Sequence, residues 1–175
     1  MNSTVEPVAL RDFVRAITRA ATPVTVVTSE YAGRPLGQTV SALSRVSDDP
    51  PVLSASIRKR SPINEIIRSR GAFNVSVLGP EHRTIADCFA GRVHSGRPPF
   101  TFAEAEWERG RNNVPVLAGA VASLECVLHD STEIGSHVLY LGLVQRASHT
   151  DKEPLLHLRG NYRHLSAPDM EGHRR

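Results

Sequence analysis

A chain of 175 residues with 40% hydrophobic and 22% charged side chains has the make-up of one globular domain, long enough to bury roughly 70% of its unfolded surface. No apolar run approaches the roughly 20 residues that span a bilayer, and Met1–Pro7 lacks the basic start and apolar core of a signal peptide, so a cytoplasmic protein is expected. The net charge of +3 is dispersed, and its densest cluster, Arg58-Lys59-Arg60, has neither interleaved aromatics nor a helix-turn-helix or finger pattern, which argues against nucleic acid and for a local anion such as a phosphate.

Along the chain, Leu10, Phe13, Val14, Ile17 and Ala21 recur at helical spacing with Arg11, Arg15 and Arg19 opposite. They predict a short amphipathic helix covering one end of the fold. Pro23 ends it, and the β-branched run Val24–Thr28 predicts a strand that turns at Tyr31–Pro35 and returns through Leu36–Ser44 as a hairpin. After Pro50-Pro51, Val52–Ile57 reads as a third strand. Ser61–Gly71 carries a helix signature, with Ser61 as N-cap, Pro62 in the first helical position and Gly71 at the stop. Ala72–Leu78 is a strand and Glu81–Ala90 a helix, whereas Arg92–Val114 reads as a long connection folding Phe100, Phe102 and Trp107 over something apolar. Strands follow at Val116–His129, Ser136–Ala147, Leu155–Leu158 and Tyr162–Leu165, before a polar tail at Ser166–Arg175. Strands dominate, so the expectation is one mainly β domain, core about 10–165, with a closed or partly closed barrel and a few short helices.

Several chemistries are missing from the residues. There is no Gly-x-Gly-x-x-Gly after a strand, no Walker loop and no nucleophile elbow. The eight histidines are scattered without a His-x-x-x-His pair. The two cysteines, Cys88 and Cys126, suit neither a disulfide framework nor zinc, and read as small buried residues. What remains is a ring-and-phosphate pattern. Thr39 and Ser41 share a strand face because the side-chain period is two, and Ser56 can join them from the next strand. The basic turn Arg58-Lys59-Arg60 then leads into a helix start, where free amides and partial positive charge favour phosphate.

Short segments in order along Phe13 to Tyr162 resemble the flavin reductase-like family, whose members bind FMN or FAD in a split β-barrel. These are Val24-Thr25-Val26-Val27-Thr28, the Gly37–Ser44 segment (Gly-x-Thr-x-Ser-Ala), Asp49-Pro50-Pro51, Ser61 before a helix, Phe73-Asn74-Val75, Phe89-Ala90, Pro115–Ala120 and Gly160-Asn161-Tyr162. Two departures stand out. Ser136 occupies the position of an Asp that usually precedes His137, and Asn74 sits one position before the usual Asn. Leu43, where Phe is common, is conservative.

The resemblance implies a split barrel of the FMN-binding type. It places Thr39, Val40, Ser41 and Ala42 along the isoalloxazine and ribityl chain. Ser56, Ile57 and Arg58 would flank the ribityl–phosphate side, Ser61 and Pro62 would lie at the phosphate, Phe89 near the pocket, and His137 where nicotinamide enters. The implied activity is hydride transfer from NADH or NADPH to FMN or FAD, which needs no acid–base residue because the cofactor carries the chemistry. A homodimer and a partner flavin-dependent monooxygenase are implied in the same way. The alternatives are a flavin carrier or redox sensor without turnover, to which the missing carboxylate at Ser136 lends weight, and a ligand-free dimeric barrel.

Overall fold

The computed structural model describes residues 6–93, 98–103 and 106–165. In chain order the elements are α1 (Leu10–Ile17), β1 (Thr22–Pro23), β2 (Thr25–Tyr31), β3 (Arg34–Val40), β4 (Leu43–Asp48) and β5 (Pro51–Arg58). Next come α2 (Ile63–Arg70), β6 (Ala72–Val77), a 3-10 turn at Pro80–His82 and α3 (Arg83–Phe89). The chain closes with β7 (Trp107–Arg109), β8 (Pro115–Leu117), β9 (Ala122–Ile134), β10 (His137–His149), β11 (Leu156–Leu158) and β12 (Asn161–Arg163). The expected polar tail lies outside the described residues.

The main sheet is antiparallel with seven strands in the order β3-β2-β6-β9-β10-β5-β4. Its two edge strands, β3 and β4, are consecutive in sequence and separated only by Ser41 and Ala42. That link spans three Cα steps, roughly 11 Å at full stretch, so the sheet must roll until its opposite edges nearly meet. Between them runs no ladder; the carbonyl of Ala42 instead accepts a hydrogen bond from the amide of Ser56 on β5 (3.1 Å). The strand expected over Leu36–Ser44 is therefore two strands. Alternation continues through the Ser41-Ala42 link, so the side-chain pattern does not reveal the crossing.

Two hydrophobic cores lie on either side of β2 and β3. Val27, Val40, Ile57, Phe73 and Tyr140 pack with Ile63 and Ile67 of α2. Val24, Val26, Leu78, Leu117 and Leu155 pack with Ile85, Ala86, Cys88 and Phe89 of α3. Neighbouring residues on a strand point to opposite faces, so Val26 and Val27, both wholly buried, feed one core each. This accounts for the unbroken burial of β2 from Thr25 to Ser29, since a strand covered on both faces does not alternate.

Three further expectations are corrected. Helix α1 forms, but it covers nothing: it has no buried residue, and Leu10, Phe13, Val14 and Ile17 are all exposed. Periodicity showed an apolar face without saying what meets it. The run expected at Val116–His129 breaks at Gly119, which takes a φ of +68°, so β8 pairs with β7 and only β9 joins the main sheet. The long connection accordingly carries a short strand, and its Phe102 and Trp107 pack edge-on against Phe89 at 4.8 and 5.3 Å. The β2–β3 hairpin and the left-handed Gly71 that closes α2 match expectation.

One half-buried titratable group, His82, makes stability depend on pH. The Nδ1 of His82 accepts the amide of Gly79 (3.0 Å), and burial pushes the imidazole below its ordinary value. The unfolded chain thus binds a proton before the folded one does. Stability from this site is complete above about pH 6.5 and is lost as pH falls from there toward the lowered native value. The thermal midpoint should fall between pH 7.5 and 5.5, and His82→Gln should flatten that fall; an unchanged slope would contradict this assignment.

Candidate functional site

Strand β3 sits between the two helices and holds both. On one face Thr39 donates its hydroxyl to the Ala86 carbonyl of α3 (2.7 Å). On the same face Gly37 lies under the Phe89 ring, so close that a Cβ there would come within 2.6 Å of two ring carbons. Gln38 belongs to the other face, near the start of α2. Its Nε2 donates to the Phe89 carbonyl (3.2 Å), and its Oε1 accepts from the Ser61 hydroxyl (2.8 Å). One side chain thus joins the end of α3 to the residue that precedes α2.

The segment between β5 and α2 is a turn in which the Ser61 amide donates to the Arg58 carbonyl (2.9 Å). The expectation of Ser61 as side-chain N-cap is overturned. Helix α2 begins at Ile63 with Pro62 in the cap position and no side-chain cap bond. The organiser is Asn64, whose Nδ2 donates to the carbonyls of Arg58 (2.8 Å), Lys59 (3.1 Å) and Ser61 (2.9 Å). Its Oδ1 accepts the hydroxyl of Tyr140 (3.0 Å), which reaches it from the floor of β10. Both residues are buried. Burial and the Asn64 environment go together: desolvation raises the Tyr140 phenol above its ordinary value.

His137 opens β10 directly opposite Arg58 of β5, and the amide of Lys59 donates to the Ser136 carbonyl (3.0 Å). The Ser136 hydroxyl lies 2.9 Å from His137 Nδ1. A neutral hydroxyl therefore stands beside the imidazole where a carboxylate would impose charge. Lys59 is drawn off to Glu133 (2.8 Å), which also meets Arg68 (3.0 Å) and is held below the usual carboxylate range by the Lys59 hydrogen bond.

The residues singled out from the sequence fall in one region. Ser41 and Ala42 are exposed, Ser56 and Thr39 half-buried, and Arg58 and Pro62 exposed around the half-buried Ser61 and His137. Three of the set have buried side chains: Val40 (6% exposed), Ile57 (1%) and Phe89 (0%) belong to the cores. They can offer backbone atoms or support, but no side-chain surface. Gln38 escaped sequence reasoning because Ser61 and Phe89 lie 23 and 51 positions away, and Asn64 because its type and place in a first helical turn do not mark it as buried. A separate apolar groove of about 400 Å³, lined by residues including Leu43, Val52, Leu53, Leu124 and Val144, contains none of the singled-out residues.

Small side chains at a strand crossing, a basic turn tied to two helices by Asn64 and Gln38, and a histidine opposite that turn mark out one surface of a mainly β protein. The chain belongs to the flavin reductase like domain family, whose model matches residues 17–166. It is 34% identical over 165 residues to an NADH-dependent flavin reductase of Rhodococcus sp, covering 92% of this chain and 88% of that protein. It is 35% identical over 158 residues to a "Probable flavin reductase" of Rhizobium meliloti (strain 1021), where it covers 90% of this chain but spans about half (48%) of the relative. Among solved structures, the Streptomyces globisporus C-1027 NADH:FAD oxidoreductase SgcE6 in complex with NAD and FAD fragments superposes with a TM-score of 0.81 at 31% identity, covering 95% of this chain and 100% of that one.

Proposed function

We propose that this protein is an NAD(P)H-dependent flavin reductase that takes FMN or FAD and passes reduced flavin to a partner monooxygenase. Its relatives support the reading, and so does the Gln38 link, which holds β3, α3 and the Arg58–Ser61 turn as one unit. The residues present fit a flavin. Ser41 and Ala42 are small and exposed at the crossing, so a flat ring can approach the backbone, and the exposed Arg58 would meet an anionic tail.

In this reading the Thr39–Ala42 segment lies along the ring, with Val40 contributing only main-chain atoms. Ser56, Ile57 and Arg58 flank the side chain of the flavin, and Ser61 and Pro62 bound its lower part. Phe89 supports β3 from beneath. His137 borders the entry for nicotinamide. A bound flavin would supply the redox chemistry, as acceptor for the hydride of the nicotinamide. The protein's task is then to hold the two rings at about 3–3.5 Å and to exclude water. No side-chain acid or base is assigned.

The rolled sheet with its unladdered β3–β4 edge supports a split barrel, and the apolar groove of about 400 Å³ suits a second copy of the chain. We therefore read the protein as a cytoplasmic homodimer using NADH or NADPH. Steady-state oxidation of NADH should depend on added FMN or FAD, with turnover lost when either is omitted. The neutral Ser136 beside His137 favours one rival, a flavin carrier without turnover. That rival predicts flavin binding with no flavin-dependent NADH oxidation.

A further inference from the structure

We propose that Gln38 fixes the polarity of Ser61, making its hydroxyl an acceptor that reads a hydroxyl of the ligand's ribityl chain and not a donor to its phosphate. This inference rests on the flavin reading given above. An amide nitrogen can only donate and a carbonyl oxygen can only accept. The contact between Gln38 and the Phe89 carbonyl (3.2 Å) therefore requires the Gln38 nitrogen on that side. Its oxygen then faces Ser61 at 2.8 Å, and the only proton on the Ser61 hydroxyl must point at it. Turning the amide over would set two oxygens against each other at Phe89.

The backbone of Ser61 gives a phosphate nothing either, because its amide is spent on the Arg58 carbonyl (2.9 Å). Ser61 thus presents lone pairs alone. An anionic phosphate, which needs donors, is repelled from that atom, whereas a neutral hydroxyl donating a proton is welcomed. The anion falls instead to the guanidinium groups of Arg58 and Arg60, for which no ion pair occurs among the described residues. Gln38 is a positioning residue in this scheme, acting through Ser61 and touching no reacting atom.

Three probes separate the alternatives: lumiflavin, which has no ribityl chain, riboflavin, which adds its hydroxyls, and FMN, which adds the phosphate. Dissociation constants are read from quenching of flavin fluorescence. Ser61→Ala should weaken riboflavin and FMN by the same factor, about fivefold, and leave lumiflavin unchanged. Gln38→Met releases the Ser61 proton, so the preference for FMN over riboflavin should rise about tenfold. Adding Ser61→Ala to Gln38→Met should cancel that rise. A loss confined to FMN in Ser61→Ala overturns the proposal, as does an equal loss for all three probes or no loss for any. An unchanged FMN-to-riboflavin preference in Gln38→Met overturns it too. A wild-type protein that binds none of the three refutes the flavin reading itself.

Discussion

Asn64→Ala is expected to cost about 3 kcal/mol of stability and to lower flavin affinity more than tenfold in whatever protein remains folded. The side chain does two jobs. Its Nδ2 gathers the carbonyls of Arg58, Lys59 and Ser61, and its Oδ1 satisfies the Tyr140 hydroxyl. Arg58 and Lys59 lie on the surface, so their carbonyls can turn to water once released. Tyr140 is 0% exposed and cannot; it keeps only a long 3.4 Å contact with the main-chain carbonyl of residue 64, and a buried donor so poorly partnered costs about 1–3 kcal/mol. Tyr140→Phe keeps the turn and leaves only the Asn64 Oδ1 without its donor, so it should cost about 1 kcal/mol and leave affinity nearly intact. Urea unfolding and flavin titration of the two variants separate the parts. Equal affinity loss in both would show that the turn does not depend on Asn64.

Gly37→Val should be comparably severe, for a steric reason. A Cβ at this position would stand 2.6 Å from Cδ1 and Cε1 of Phe89, deep inside contact distance. The ring has no room to yield, since Phe102 and Trp107 hold it edge-on, and Phe102 and Trp107 are themselves only 4.9 Å apart. Overpacking of this kind costs about 1–3 kcal/mol. The displacement passes to α3, whose carbonyls at Ala86 and Phe89 anchor Thr39 and Gln38. Flavin affinity should therefore fall together with the thermal midpoint. Shrinking the ring with Phe89→Leu in the Gly37→Val background should recover part of both. If that double variant is no better than Gly37→Val alone, the Phe89 contact is not the cause.

The contacts of β3 also decide how a ring-site variant should be designed. Thr39 is bonded to α3 through its hydroxyl, so a bulky residue there would disturb the helix as well as the proposed flavin site. Ser41 is exposed on the β3–β4 link and makes the cleaner probe.

Much of the fold is legible in local pattern. The β2–β3 hairpin follows from a β-branched run and a Gly-containing turn, and Gly71 marks the end of α2 through the left-handed conformation that glycine tolerates. Local pattern fails where one signal spans two structures. The alternation of small and apolar residues runs through Ser41 and Ala42 without a break, although the chain there changes from one edge of the sheet to the other. For α1 the period reveals an apolar face and leaves its partner unstated.

The site divides in the same way. The hydroxyl residues at the strand crossing and the basic turn can be picked out by type and spacing. The side chains that hold them cannot, because Gln38 meets Ser61 across 23 positions and Tyr140 meets Asn64 across 76. A glutamine on an edge strand and an asparagine in a first helical turn look like ordinary surface residues until those distant partners are known.

Central to the proposed function is that nicotinamide and flavin meet face to face on this protein. Anaerobic titration of the flavin-loaded protein with NADH, and separately with NADPH, tests this most directly through the flavin absorbance. Stoichiometric bleaching by at least one of the two is the predicted result. A protein that holds flavin firmly yet keeps its absorbance unchanged with both would contradict it.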